Sequence, residues 1–195
     1  MRLALNFRRI DPTRGGAETY IVDLCRRLID AGHQVDLYAE SWNPDALPDQ
    51  VRCVKVAASG RTRIGRIWSF ARHSAAALES KSYDCTVGFI NTWAHDVIIP
   101  QGGTHQGSIL ANSRRFQGRA RRALYALGKS ANPKNAVYRA IERRQYDPAL
   151  GAQVVAVSHM VKRHLEEFHQ VPSSRIHVIP NAIDPQRLVV PRPSA

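Results

Sequence analysis

Three short stretches carry the side chains and backbone that could take part in chemistry. The first is Thr13-Arg14-Gly15-Gly16-Ala17-Glu18. An apolar run, Leu3-Ala4-Leu5, precedes it, and Tyr20, Ile21, Leu24, Cys25 and Leu28 follow at the spacing of one helix face. Two glycines where a strand meets a helix allow a phosphate or sugar to approach bare backbone N–H groups at the positive end of that helix. The same pair would also serve as a plain tight turn, and the residues alone leave both readings open. Glu18, in the first helical turn, would favour the helix dipole in either case.

The second stretch holds His95 and Asp96 ahead of the apolar run Val97-Ile98-Ile99, and the third is Gln101-Gly102-Gly103-Thr104-His105. An imidazole or a carboxylate in a cleft can move a proton. Asp96 could equally cap a helix, and His105 could equally be a loop histidine satisfied by backbone. Some chemistries are absent from the pattern. No G-x-G-x-x-G follows the first strand and no G-x-x-x-x-G-K-[ST] occurs, so neither dinucleotide nor P-loop binding is indicated. Cys25, Cys53 and Cys85 are far apart, with no spacing that suggests a metal site, and read as buried free thiols of a reducing compartment.

Charge is the unusual quantity. The 28 Lys+Arg against 16 Asp+Glu give +12, and 23 of the basic residues are arginine. Such an excess speaks of partners rather than fold: nucleic acid, an anionic membrane or a phosphorylated substrate would each fit. From about Gln106 to Tyr146, ten basic residues, Arg114, Arg115, Arg119, Arg121 and Arg122 foremost, stand against a single acid, Glu142. Ile109, Leu110, Phe116, Leu124, Tyr125 and Leu127 interleave with them. A solvated helical face, a membrane-docking segment and a nucleic-acid surface all remain open, although no helix-turn-helix, RRM, KH or zinc-finger pattern accompanies the charge.

The elements that must position these residues alternate. Strands are predicted near 1–7, 34–39, 51–56, 85–90, 97–100, 154–157 and 176–179, with helices over 17–30, 63–80 and after Ser158, which would act as an N-cap. Gly32 is placed to end the first helix. At 195 residues and 44% hydrophobic, the chain suits one α/β domain with a Rossmann-like, doubly wound, mostly parallel sheet and a basic helical insertion. In such sheets ligands sit at the carboxyl ends of the strands. No apolar run is long enough to span a bilayer, and the first residues read as a strand rather than a signal peptide.

The far end resembles a known family. Val155-Ala156-Val157-Ser158, Lys162, and Arg175-Ile176-His177-Val178-Ile179-Pro180-Asn181-Ala182-Ile183-Asp184 are similar to the V-S-x-x-x-K and R-I-x-V-I-P-N-G-I-D segments of retaining GT-B glycosyltransferases of family 4, with Ala182 in place of a glycine. Gly15-Gly16-Ala17-Glu18 and Gly32-His33-Gln34-Val35 match the opening G-G-x-E and G-H-x-V of that family. Tyr38-Ala39-Glu40-Ser41-Trp42 and Val87-Gly88-Phe89 through Asp96-Val97 resemble the lipopolysaccharide-core glucosyltransferases within it.

The resemblance implies an acceptor-side half-domain over 1–184 and the start of an interdomain linker over 185–195, the nucleotide-binding domain with its E-x₇-E motif being absent from this chain. It implies a nucleotide sugar, a UDP-sugar for preference, as donor substrate rather than cofactor, and a lipid-linked or oligosaccharide acceptor. Gly15, Gly16 and Glu18 would face the donor, His105 would abut the transferred sugar, and Asp96 would lie near the acceptor. The arginines at 114–122 would dock on an anionic membrane, at the cytoplasmic face of the inner membrane, with no nucleic acid expected. A stand-alone nucleotide- or anion-binding module and a basic nucleic-acid-binding protein are the alternatives.

Overall fold

A computed structural model describes residues 1–182; the expected boundary at Asp184 and the 185–195 tail lie outside the described residues. In chain order the elements are β1 Arg2–Asn6, β2 Arg9–Ile10, α1 Gly16–Asp30, β3 Gln34–Ala39, β4 Ser41–Trp42, β5 Arg52–Lys55, α2 Arg63–Glu79, β6 Cys85–Gly88, β7 Val97–Ile98, α3 His105–Ser113, α4 Arg119–Ala131, α5 Pro133–Gln145, β8 Gln153–Ala156, α6 His159–His169 and β9 Ile176–Val178. Seven strands form one parallel sheet in the order β5-β3-β1-β6-β7-β8-β9. The chain moves outward from β1 through β3 to β5, returns to place β6 on the other side of β1, and moves outward again. The order therefore reverses between β1 and β6, where sheets of this kind open a crevice at their carboxyl ends.

Side-chain alternation along the central strands explains why helices cover both faces. Leu3, Leu5, Val35 and Leu37 point to one face and pack with Ile21, Val22 and Cys25 of α1. Ala4 and Tyr38 point to the other and pack with Phe70 and Leu78 of α2. The sheet is thus doubly wound, with both faces apolar as buried parallel strands require. The first helix ends as its sequence indicates: Gly32 takes φ 80°, a left-handed conformation that favours glycine, and the N–H of His33 returns to Leu28 O at 3.0 Å. Ser158 Oγ accepts from Val161 N at 3.3 Å and caps α6. Cys25 is fully buried, with its thiol pushed up to about 12 by that burial, whereas Cys53 and Cys85 are only partly buried.

The basic segment forms three helices, α3 to α5, between β7 and β8. The last is the most firmly seated. It buries Ile141, Glu142 and Gln145, and the Trp93 indole N–H donates to Ile141 O at 3.3 Å. In contrast, α4 has no buried residue, and its Leu124 and Leu127 are 73% and 70% exposed. Among the described residues no helix is long and apolar enough to cross a membrane.

Candidate functional site

The carboxyl edge of the sheet brings together the β1–α1 connection, the β7–α3 loop and the starts of α2 and α6. At the first of these, the turn is not made by the glycines. Asp11 Oδ1 accepts from the Thr13 N–H at 3.2 Å and the Thr13 hydroxyl at 2.7 Å, and Arg14 N–H returns to Asp11 O at 3.0 Å. Asp11-Pro12-Thr13-Arg14 is therefore a self-contained turn. Gly15 follows with φ 169° and ψ 174°, extended backbone open to any residue, and N-caps α1 without a side chain. A Cβ on Gly16 would meet nothing within 4 Å, and one on Gly15 would meet only Glu18 Oε2, at 3.2 Å. Neither glycine is demanded by the turn or by packing. What the pair leaves is an exposed helix start whose first N–H groups lack intrahelical acceptors. Beneath it, Phe89 packs edge-on against Phe7 and Tyr20, at centroid distances of 6.0 and 6.5 Å, and fixes the helix start beside the β1–β6 reversal.

His105 lies at the same edge, as the first residue of α3 rather than the end of a loop, and buried Thr104 caps that helix through Gly107 N at 3.0 Å. Its ring stacks on Tyr138 with centroids 4.9 Å apart, and its Nε2–H donates to Asn135 Oδ1 at 3.2 Å. That tautomer leaves Nδ1 as an acceptor. The His105 N–H donates to Glu142 Oε1 at 2.6 Å, and Glu142 Oε2 lies 3.5 Å from His169 Nε2. Thus the single acid of the basic segment is buried inside, holding α5 to the His105 turn and to α6. The surface of the insertion is left wholly basic, and among the described residues none of its ten Lys and Arg side chains forms an ion pair.

Asp96 is placed elsewhere. It precedes β7, so it sits at the amino end of that strand, away from the edge that carries His105 and the glycines. Its Oδ2 accepts from the Thr86 N–H at 2.7 Å and the Thr86 hydroxyl at 2.8 Å, a clasp between neighbouring strands and not a helix cap. His95, unlike exposed Asp96, is buried. Its Nε2–H donates to Gln145 O at 3.1 Å, and burial drives its pKa down to about 4 against the opposing pull of that bond and of Asp96. It is a neutral core residue. Gly88 exists to admit it, since a Cβ there would fall 2.5 Å from Thr92 Oγ1 and 2.9 Å from His95 Nδ1.

Sequence reasoning located the charge in the insertion and missed a second concentration. Arg8, Arg9, Arg14, Arg61, Arg63 and Arg66 line one cleft at the carboxyl edge, although they are drawn from three segments spread over the first third of the chain. Each arginine was visible; only the strand order brings them together.

Comparison with known proteins agrees with this geometry. The profile of Glycosyltransferase Family 4 matches residues 14–187. A probable transglycosylase of Burkholderia thailandensis is 29% identical over 176 residues, covering 89% of this chain and 43% of its own. The crystal structure of WaaG, a glycosyltransferase involved in lipopolysaccharide biosynthesis, superposes with a TM-score of 0.77 at 20% identity, over 97% of this chain and 48% of that one. Sucrose-phosphate synthase from Thermosynechococcus elongatus shares the fold at a TM-score of 0.62 and 14% identity, over 95% and 49%. The chain thus spans about half the length of the relatives it matches. A family match over most of the sequence, on a doubly wound sheet with an open helix start at its carboxyl edge, establishes that the chain belongs to glycosyltransferase family 4.

Proposed function

We propose that this chain is the acceptor-side half of a retaining glycosyltransferase that moves a sugar from a nucleotide-sugar donor, a UDP-sugar for preference, to a lipid-linked or oligosaccharide acceptor at an anionic membrane surface. The observation that carries this reading is the glycine pair: the fold requires neither residue, yet together they bare the N-terminus of α1 beside the β1–β6 reversal. In glycosyl transfer the acceptor hydroxyl bonds to the anomeric carbon as the bond to the diphosphate oxygen breaks, and the departing phosphate takes up the hydroxyl proton. Charge therefore grows on the phosphate oxygens, and fixed N–H donors aimed at them lower the barrier. Glu18 shares that helix start; a carboxylate there suits a sugar hydroxyl and repels phosphate. His105, oriented by Tyr138 and Asn135, offers Nδ1 to a hydroxyl of the transferred sugar. Asp96 lies at the wrong end of the sheet for a role near the acceptor.

Docking rests on the insertion. Arg114, Arg115, Arg119, Arg121 and Arg122 are all exposed, and α4 turns Leu124 and Leu127 outward. Basic charge beside exposed apolar side chains is the pattern that binds anionic bilayers. The test is to assay the two-domain protein against a panel of nucleotide sugars with lipid-linked acceptors, reading the anomeric configuration of the product. Donor-dependent transfer with retention is expected from the two-domain protein and no turnover from the present chain alone. Inverted product, or multiple turnover by the 195-residue chain, would contradict the reading.

A further inference from the structure

The arginine cleft has a volume of 430 Å³ and is walled by Arg8 between β1 and β2, Arg9 at the start of β2, Arg14 ahead of α1, and Arg61, Arg63 and Arg66 at the entry to α2. One carboxylate, buried Glu40, forms all the ion pairs made by these six guanidinium groups among the described residues. It pairs with Arg8 at 2.9 Å, with Arg9 at 3.6 Å, and closely with Arg66. Arg14, Arg61 and Arg63 are exposed and form no ion pair among the described residues, and only Arg14 feels a nearby carboxylate, that of Asp11. Two of the inner donors, Arg9 Nε and Arg66 Nε, are buried without a hydrogen-bond acceptor. The helix that enters the cleft adds to the imbalance: the first turn of α2 contains no acid and carries Arg63 and Arg66, the reverse of what a helix N-terminus favours. Burial holds the Arg8 guanidinium below its ordinary value; Glu40 opposes that, and Arg9 and Arg63 add to it. The loop is held in this shape by Gly60, at φ 142°, where a Cβ would fall 2.9 Å from Arg66 N.

An anion resolves all of these at once. Planar guanidinium forks match the oxygens of a phosphate group, which can accept from several arginines together, whereas a carboxylate has only two oxygens to offer. The volume exceeds what a free phosphate fills and accommodates an attached sugar. The cleft is built at the ends of β1 and β5, on the far side of β1 from β6, whereas His105 follows β7 on the other side of β1 along the same carboxyl edge. We infer that this cleft binds a phosphoryl group carried by the acceptor sugar, an assignment that rests on the glycosyltransferase reading above and narrows its acceptor to a phosphorylated saccharide.

Titration calorimetry on the present chain tests this, with inorganic phosphate, glucose 6-phosphate, glucose and UDP as probes. Phosphate and glucose 6-phosphate are expected to bind one per chain, more weakly as salt rises, and glucose not at all. Arg61→Gln and Arg63→Gln, both at exposed positions, should each weaken phosphate binding about tenfold, as loss of a charge-assisted hydrogen bond does. Arg27→Gln, at the far end of α1, should leave it unchanged. Absence of phosphate binding, or binding indifferent to Arg61 and Arg63, overturns the proposal. So does UDP binding that displaces phosphate while glucose 6-phosphate fails to bind, which would assign the cleft to the donor. A matching loss of binding to anionic vesicles in these two variants would assign the phosphate to a lipid headgroup and overturn it too. Retained transfer by the two-domain protein carrying both substitutions would remove this inference and leave the glycosyltransferase reading intact.

Discussion

Replacing Gly16 by alanine separates a structural role for the glycine pair from a chemical one. In the structure the new methyl group meets no atom within 4 Å, and the residue is the first of α1. Alanine is a better helix former than glycine and restricts the unfolded chain, so the substitution should leave stability unchanged or raise it by about 0.4–1 kcal/mol. Its effect on transfer should be opposite. A methyl on the exposed helix start holds a phosphate away from the N–H groups beneath it, and losing one hydrogen bond to a charged group costs about 1.5–3 kcal/mol. In kcat/KM for the nucleotide sugar that is roughly a 10- to 150-fold loss. Urea unfolding of the chain gives the first quantity and steady-state transfer by the two-domain protein gives the second. A variant that is less stable but kinetically normal would show that the glycine serves the fold, and the argument from open backbone would fail.

Four other outcomes follow from the same geometry. Leu124→Ser with Leu127→Ser should weaken partition onto anionic vesicles by roughly 2–4 kcal/mol at every salt concentration, because the two side chains are mostly exposed in the free chain. Neutralising Arg119, Arg121 and Arg122 should remove roughly 1 kcal/mol each at low salt and little at high salt, so sedimentation across a salt series distinguishes the two contributions. Gly88→Ala should lower the urea midpoint, by about 1–3 kcal/mol of overpacking against Thr92 and His95. Acid should also destabilise the fold through His95. With a folded pKa near 4 and an unfolded value of about 6.5, the unfolded chain binds the extra proton, so stability present above pH 6.5 is lost as the pH falls toward 4. Between pH 7 and 4.5 that loss is about 2 kcal/mol, and the same pH series on His95→Gln should lack it.

The sheet was largely legible because buried parallel strands are continuous apolar runs, and the helices because their caps, Gly32 and Ser158, are local signals. The pair β2 and β4 was not, since two residues carry no period. The resemblance put Asp96 near the acceptor, and the structure sets it at the amino end of β7, clasping Thr86. It comes before its strand, and in a parallel sheet that alone puts it at the end opposite His105 and the glycine pair. His95 looked like a candidate because imidazole in a polar stretch suggests chemistry, whereas its burial depends on α5, fifty residues further on. The arginine cleft shows the other limit: residues 8, 9 and 14 meet residues 61–66 only after β3 and β5 have taken their places.

The unequal seating of α4 and α5 has a consequence for how the insertion changes over generations. A helix with no buried residue stores no positional information for the fold. In α4 any arrangement that keeps leucines on one side and arginines beside them is equivalent, so its letters are free to drift while its composition is held. In α5, Ile141, Glu142 and Gln145 each fill a defined place, and drift there is stopped residue by residue. Among descendants of this sequence, α4 would be recognisable only by its amino-acid content, and α5 by its alignment.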